Sequence, residues 1–169
     1  MKTKLQCPLT GVGKKAQMKV TDFLYRETIL PNLKSTDKKG VLEELSLPVA
    51  GITGIPHSDL VKVLVQREHL GSTGIGGGIG IPHGKHKDLT SLILGVGIHR
   101  AGLNFDALDE KPTYIFFLLL APDDSAGLHL KLLARLSRML KEEVFKTRLM
   151  AAADVDDVLG CIDAIDEPF

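Results

Sequence analysis

Two apolar segments of strand length constrain the fold of this chain more than any other feature of its sequence. They are residues 92–98 and 114–121, and turn-favouring residues bound each of them. Strands that are apolar on both faces need a covering layer on each side, which helices usually supply. We therefore predict that these segments are central strands of a sheet, joined through a polar connection at 104–112.

Segments with helical periodicity lie before and after these strands. The first begins at Asp37, and Pro48 is expected to kink it or to confine it to two short pieces. A second is expected from about Ser58 to a stop at Gly71. The Asp-Asp-Ser cluster at 123–125 is expected to cap a long third helix. The apolar stripe of that helix consists of His129, Leu132, Leu133, Leu136, Met139 and Leu140.

Two shorter helices, around 143–152 and 155–165, complete a pattern of helices before, between and after the strands. This pattern predicts a layered single α/β domain, with a mixed β-sheet flanked by α-helices. A chain of 169 residues, 44% of them hydrophobic, is long enough for one such core. Residues 1–19 mix Lys, Gly and Pro without a sustained period, so we expect a flexible N-terminal extension before a domain at 20–169.

The balance of charge excludes several classes of function. Lys and Arg number 21 and so do Asp and Glu, which leaves no general basic field for nucleic acid or anionic lipid. Cys7 and Cys161 form no CxxC pair, and the apolar stretch 115–121 is too short to span a bilayer. Since the lysines near the N-terminus precede no apolar leader segment, we expect a soluble, unexported, cytoplasmic protein.

The glycine-rich stretch 71–85 is the first candidate for chemistry. It does not match a Walker A loop, because Ile79 occupies the position of the first required glycine and His86 follows Lys85. It does not match the dinucleotide-binding fingerprint either. We predict tight turns and short strands over 72–84. Glycines here allow backbone to approach a ligand closely, although a set of turns alone would explain them.

His83 stands out within this stretch because it lies between Pro82 and Gly84. A neutral imidazole can attack a phosphoryl group through one ring nitrogen if the other nitrogen donates its proton to a backbone carbonyl. A presented nucleophile at a strand end is the functional interpretation. An ordinary surface histidine is the alternative.

Arg67 and His129 are the second and third candidates. Arg67 shares a helix face with the apolar residues of the second helix, and its planar donor fork suits phosphate. His129 lies near the start of the long helix, where it can donate to a phosphoryl oxygen and where the positive helix end favours an anion. Each has a structural alternative, as a helix-end arginine and as a buried, hydrogen-bonded histidine.

Metal binding and acid–base hydrolysis are weaker interpretations. His83 and His86 are close in sequence, but no cysteine or carboxylate pattern completes a metal set, so we expect no metal and no cofactor. The acidic cluster Asp106, Asp109 and Glu110 is interpreted as part of a polar connection. The remaining histidines are assigned to caps and solvated surface; they are His57, His69, His86 and His99.

Four segments together resemble the type-2 enzyme IIA family of the phosphotransferase system, the mannitol/fructose and nitrogen-regulatory class. They are Arg-Glu-His-Leu-Gly-Ser-Thr-Gly-Ile at 67–75, Gly-Ile-Pro-His-Gly-Lys at 80–85, Phe-Asp-Ala-Leu-Asp at 105–109 and Leu-His-Leu at 128–130. Their order and spacing agree with the family as well, and the resemblance extends from about residue 20 to the C-terminus.

The resemblance implies a phosphotransferase component with a phosphohistidine intermediate. In that family the histidine of the Ile-Pro-His segment accepts phosphate from the histidine phosphocarrier protein, which implies that His83 is the acceptor. It likewise implies that Arg67 and His129 flank the phosphate and stabilise it. Because successive partner proteins must reach the ring in turn, we expect an exposed apolar rim around His83.

The resemblance leaves the branch of the family open. The sequence shows no attached IIB, IIC or carrier domain, which together with the Gly-Ser-Thr-Gly-Ile stretch favours a nitrogen-regulatory protein that binds regulatory targets. A sugar-specific enzyme IIA that passes phosphate to an enzyme IIB during fructose or mannitol uptake is the alternative. A non-catalytic regulatory binding module of the same fold is a second alternative.

Overall fold

The computed structural model describes residues 17–169; residues 1–16, most of the expected N-terminal extension, lie outside the described residues. A 3₁₀ turn at Val20–Phe23 begins the fold. The strands are β1 (Leu24–Leu30), β2 (Gly74–Gly76), β3 (Ile79–Gly80), β4 (His83–Lys85), β5 (Ile93–Leu103) and β6 (Thr113–Ala121). The helices are α1 (Lys38–Thr53), α2 (His57–His69), α3 (Ala126–Met139), α4 (Glu143–Ala151) and α5 (Val155–Asp163).

The strands form one mixed sheet in the order β1-β5-β6-β3-β2, with β4 also paired to β6. The central pair β5 and β6 is antiparallel, whereas β1 runs parallel to β5. Both β3 and β4 run parallel to β6, with β3 beside its beginning and β4 beside its end. The predicted mixed sheet is confirmed. The register places His83 opposite Leu119, near the carboxyl end of β6.

Two apolar clusters cover the two faces of this sheet. Successive residues of β6 alternate between them, as they must when side chains point to opposite faces of a strand. Ile115 and Phe117 pack with α3, α4 and α5, and Phe116 and Leu118 pack with α1 and α2. The expected layered α/β domain is therefore what the described chain forms, and both predicted central strands are confirmed.

Three local features differ from expectation. First, α1 is one helix through Pro48 and not two short pieces, because the core packing of Leu45 and Val49 outweighs the hydrogen bond that the proline removes and the steric strain of its ring. Second, β1 has no counterpart among the predicted strands. Third, Ser125 precedes α3 without a side-chain capping bond, since its hydroxyl donates to the Pro122 carbonyl.

The glycine-rich stretch forms β2, β3 and β4, as predicted, and one of its glycines is required by packing. A Cβ added at Gly84 would lie 2.5 Å from Cγ1 of Val63 on α2. Only a glycine lets α2 pack this closely against β4. The close approach brings the last turn of α2 beside the first residue of β4. Within residues 17–169, no helix combines the length and apolar character needed to cross a membrane.

Candidate active site

The structure brings the three predicted site residues together from three separate elements. Arg67 lies in the last turn of α2, His83 begins β4, and His129 lies in the first turns of α3. Nε of Arg67 donates to Nε2 of His83 at 3.2 Å. The rings of His83 and His129 meet edge to face, with centroids 5.4 Å apart. One guanidinium and two imidazoles therefore converge on one point.

The hydrogen bonds of His83 define which ring nitrogen is free to react. Nδ1 lies 2.8 Å from the carbonyl oxygen of Ile81, and a carbonyl can only accept, so Nδ1 carries the proton. Nε2 is then unprotonated, and its lone pair accepts from Arg67. This is the arrangement that a neutral imidazole needs in order to act as a nucleophile through Nε2.

The surroundings of His83 keep its ring neutral. Burial lowers the pKa of His83, and the positive charge of Arg67 lowers it further. The hydrogen bond to Ile81 and the Glu68 carboxylate act in the opposite direction without reversing the result. Because the pKa lies below its ordinary value, the ring is unprotonated and nucleophilic at neutral pH.

His129 carries a buried polar atom without a partner. The residue is 8% exposed, and its Nε2 makes no hydrogen bond with any described residue. Burial, followed by the proximity of His83 and Lys85, lowers its pKa to about 4. Buried ring nitrogens are normally hydrogen-bonded, so this atom is available to a ligand oxygen that enters the site. Its place near the start of α3 also puts it at the positive end of a helix dipole.

Arg67 is fixed on one side and has donors to spare on the other. Nη1 donates to the carbonyl of Gly71 at 2.9 Å, and Nε faces His83. Nη2 has no hydrogen-bond partner within residues 17–169. A guanidinium anchored in this way presents fixed donors to an anion without having to order itself first.

Two buried residues of the site region were not singled out from the sequence. Glu68 is 8% exposed and Thr73 is 4% exposed. The Thr73 backbone N–H lies 3.2 Å from both carboxylate oxygens of Glu68, and the Thr73 hydroxyl also donates to Glu68. A signal was present, because Leu60, Leu64 and Glu68 recur every four residues, which places a carboxylate on the buried stripe of α2.

The other histidines occupy structural positions, but one expectation was wrong. Nε2 of His57 lies 2.8 Å from the Glu43 carbonyl, Nδ1 of His86 accepts from the Asp88 amide, and His69 is exposed. His99 was expected at a cap or on the surface. It is instead only 9% exposed, with Nε2 2.8 Å from the Ser35 carbonyl, because β5 extends beyond the predicted strand and carries it inward.

The weaker interpretations gain no support from the geometry. No group of three or more His, Cys, Asp or Glu side chains within residues 17–169 is arranged to hold a metal ion. Asp109 accepts from the amides of Gly77 and Lys111, which is a turn-forming role. Asp106 and Glu110 have positive φ angles of 52° and 60°, which are also typical of turns.

Exposed apolar side chains lie next to the site residues along the chain. Leu70, three residues after Arg67, is 85% exposed, and Leu130, the neighbour of His129, is 68% exposed. These two residues are candidates for the expected rim.

Several known proteins are similar to this chain in sequence. Residues 22–165 match the family model described as "Phosphoenolpyruvate-dependent sugar phosphotransferase system, EIIA 2". A nitrogen regulatory protein of Bradyrhizobium diazoefficiens is 39% identical over 146 residues, which cover 86% of this chain and 95% of that protein. The fructose-specific EIIABC component of Bacillus subtilis is 30% identical over 89% of this chain, but the match spans only 24% of that longer protein.

A solved structure is similar as well. The crystal structure of the nitrogen regulatory protein IIA-Ntr from Neisseria meningitidis superposes with a TM-score of 0.79 at 30% identity. The superposition covers 83% of this chain and 97% of the Neisseria chain.

Proposed function

The chain belongs to the EIIA 2 family of the phosphoenolpyruvate-dependent sugar phosphotransferase system, and from that premise we propose that it carries a phosphoryl group on Nε2 of His83. It is thus a phosphotransferase-system component. The single observation that supports His83 as acceptor is its hydrogen-bonding state, with Nδ1 donating to Ile81 and Nε2 facing Arg67. The proposed donor is the histidine phosphocarrier protein.

The proposed reaction needs no protein base. The Nε2 lone pair of His83 attacks the phosphorus of the incoming phosphohistidine, and a new N–P bond forms. The donor N–P bond breaks, and its electron pair returns to the imidazole of the phosphocarrier. The Nδ1 proton stays on the hydrogen bond to Ile81 throughout. Phosphoryl transfer of this kind depends mainly on alignment and on stabilising charge.

Arg67 and His129 supply that stabilisation in the proposal. The phosphoryl group would take the place on Nε2 that the Arg67 Nε–H now occupies, with the guanidinium turning its donors to the phosphoryl oxygens. The Nε2 of His129 would donate to another oxygen and thereby gain the partner that it lacks. Both groups are held by folded elements before the phosphate arrives, so little reorganisation is needed.

We favour the nitrogen-regulatory branch, with regulatory target proteins as partners. The support is the 39% identity to a nitrogen regulatory protein over nearly the whole of that protein. A sugar-specific role with an enzyme IIB as the next acceptor is the second candidate, favoured by the match to the fructose-specific component. Either role places the protein in the cytoplasm, where phosphoenolpyruvate is available.

Intact-mass analysis tests the proposed chemistry. The protein is incubated with phosphoenolpyruvate, enzyme I and the phosphocarrier. We expect one acid-labile phosphate on the wild type and none on His83→Ala. An unmodified wild type would favour the non-catalytic binding module, as would partner binding that is indifferent to His83→Ala and His83→Asp.

A second experiment separates the two branches. Phosphorylated protein is mixed with a fructose-class enzyme IIB and, separately, used in a pull-down beside the unphosphorylated form. The regulatory proposal predicts slow or no transfer to the IIB and a set of partners that depends on phosphorylation. Rapid transfer to the IIB would instead establish the sugar-specific role.

A further inference from the structure

Glu68 is a buried charged residue beside the site residues that the proposed mechanism does not use. It directly follows Arg67 in the last turn of α2. Its side chain is buried, at 8% exposure. A buried carboxylate is unfavourable unless it is paired and hydrogen-bonded. Its partners are Thr73 and the ammonium group of Lys38, whose Nζ lies 2.9 Å from Oε2.

One branch of hydrogen bonds leads from this carboxylate to the proton on His83. Glu68 accepts from both the amide and the hydroxyl of Thr73. The Thr73 carbonyl accepts from the Ile81 amide at 2.9 Å. The Ile81 carbonyl in turn accepts from Nδ1 of His83 at 2.8 Å. The group that sets the tautomer of His83 is therefore held in place through Thr73.

A second branch leads from Glu68 to the other side of the same ring. The backbone carbonyl of Glu68 accepts from the Gly71 amide at 3.1 Å. The Gly71 carbonyl accepts from Nη1 of Arg67 at 2.9 Å, and Nε of Arg67 faces Nε2 of His83. Both series of hydrogen bonds therefore end at the His83 ring, one at Nδ1 and the other at Nε2.

We propose that Glu68 and Thr73 are positioning residues, whose buried carboxylate–hydroxyl pair holds the Ile81 carbonyl and thereby the Nδ1–H tautomer of His83, while the backbone carbonyl of Glu68 holds Gly71 beside Arg67. We call this pair the latch. The inference rests on the proposed function, because a fixed tautomer matters only if Nε2 of His83 is the nucleophile. Lys38 on α1 forms an ion pair with the latch carboxylate but belongs to neither series of hydrogen bonds.

The Glu68–Thr73 pair spans the turn between α2 and β2. Residues 70–73 connect the end of α2 to β2, and Gly71 adopts a φ of 147°, which residues with a side chain rarely adopt. The Gly71 carbonyl that receives Arg67 is held through the hydrogen bond from the Gly71 amide to the Glu68 backbone carbonyl. Partners outside the reacting groups commonly set ring tautomer and orientation in this way, and their loss typically reduces activity about 10–100-fold where this has been measured at metal-bound histidines.

The test uses Thr73→Val, which removes the hydroxyl at nearly constant volume, and Glu68→Gln, which removes the charge. The measurements are the ring ¹⁵N chemical shifts of His83 in the unphosphorylated protein and the kinetics of phosphoryl acceptance. We expect a smaller Nδ1–H fraction in both variants. We also expect kcat to fall about tenfold with KM for the phosphocarrier unchanged. Thr73→Ser, which keeps the hydroxyl, should restore both.

Thr28→Val is the matched control. Thr28 on β1 is also a fully buried threonine, and its hydroxyl donates to the carbonyls of Leu94 and Tyr25. Its loss should lower stability by a similar amount while leaving the His83 signals and kcat unchanged. The inference is overturned if both latch variants keep wild-type His83 shifts and rates, or if Thr28→Val changes them equally.

The design keeps the two proposals apart. If wild-type protein gains no phosphate on His83, the proposed function fails, whereas the ring shifts still decide whether the latch sets the tautomer. If the wild type is phosphorylated and the latch variants show wild-type shifts and kinetics, only the positioning inference fails.

Discussion

Two regions of the molecule bury polar side chains in opposite ways. At the C-terminal end, Asp166 is 4% exposed and accepts three hydrogen bonds of 2.9 Å, from the amides of Val20 and Thr21 and from the Thr21 hydroxyl. We call this arrangement the clasp. In the candidate active site, His129 is buried almost as deeply, at 8% exposure, but its Nε2 has no partner among residues 17–169.

The difference is between a buried polar group that is fully hydrogen-bonded and one that lacks a partner among residues 17–169. A buried polar atom that is fully hydrogen-bonded contributes to stability, whereas an unpaired one reduces stability and persists where something else requires it. The clasp joins the two ends of the described chain. The active site leaves one donor position open and holds its neighbours ready around it, which is what a site for a transient phosphoryl group needs.

The largest expected effect is on the rate of phosphoryl acceptance and belongs to the active site alone. Arg67→Ala should slow phosphoryl acceptance by about 10²–10³-fold, because one fixed donor to the transferring group is removed. Arg67→Lys should recover only part of the rate, since an ammonium group lacks the planar fork. Rapid-quench kinetics with the phosphocarrier measure this. A wild-type rate in Arg67→Ala would remove the guanidinium from the mechanism.

The next effect is on stability alone. Asp166→Ala should lower the free energy of unfolding by about 3 kcal/mol, because it leaves the donors of Val20 and Thr21 without their acceptor. Urea denaturation measures the change. The phosphoryl acceptance rate, taken where the variant is folded, should match the wild type. A slower rate in the folded variant would show that the clasp and the site are coupled.

A third substitution should raise the free energy of unfolding, whereas Asp166→Ala should lower it. His129→Leu replaces an unpaired buried nitrogen on an apolar helix stripe, so it should raise the free energy of unfolding by about 1–2 kcal/mol. The same change should slow phosphoryl acceptance, since the second donor is lost. Denaturation and kinetics on one preparation test both. Destabilisation would mean that Nε2 of His129 already has a partner in the free protein.

The smallest expected effect is the pH dependence of stability. The folded pKa of His129 is about 4, below its ordinary value of 6.5, so the unfolded chain binds more protons between these values. Stability from this residue is complete above pH 6.5 and is lost as pH falls toward 4. The lowered pKa of His83 acts in the same direction.

Thermal melts between pH 7 and pH 4 measure this slope. His129→Leu should flatten it, because the substituted residue cannot titrate. An equally steep slope in the variant would assign the pH dependence to other groups. Melts of Asp166→Ala are the matched control, since that variant keeps both histidines and should retain the wild-type contribution from them.

Much of this architecture could be predicted from sequence because strong apolar patterns are local. Both central strands and helices α2 to α5 follow from periodicity and turn signals. The β1 strand was missed because its sequence, LYRETIL, places Arg26 and Glu27 side by side and breaks the alternation. Of the two outcomes expected at Pro48, the division into two short pieces was wrong, because the tertiary packing of α1 outweighs the effect of the proline.

The site was predictable for a different reason. Residue chemistry made Arg67, His83 and His129 candidates, the family resemblance supplied their expected roles, and the fold brings them together. The latch was missed because Glu68 and Thr73 come into contact only through the turn between them. That contact is visible only once α2 ends and the chain reverses. Spacing along the chain identifies the members of a site, and the folded turns identify what holds them.

The central claim is that Nε2 of His83 carries the phosphoryl group with His129 as its hydrogen-bond donor. Protein labelled with ¹⁵N-histidine and phosphorylated through the phosphocarrier allows a direct measurement by ¹⁵N and ³¹P NMR. We predict phosphorus coupled to Nε2 of His83, Nδ1 still protonated, and a raised pKa for His129 beside the new negative charge. Phosphorus on Nδ1 of His83, or on another histidine such as His86, would contradict this account.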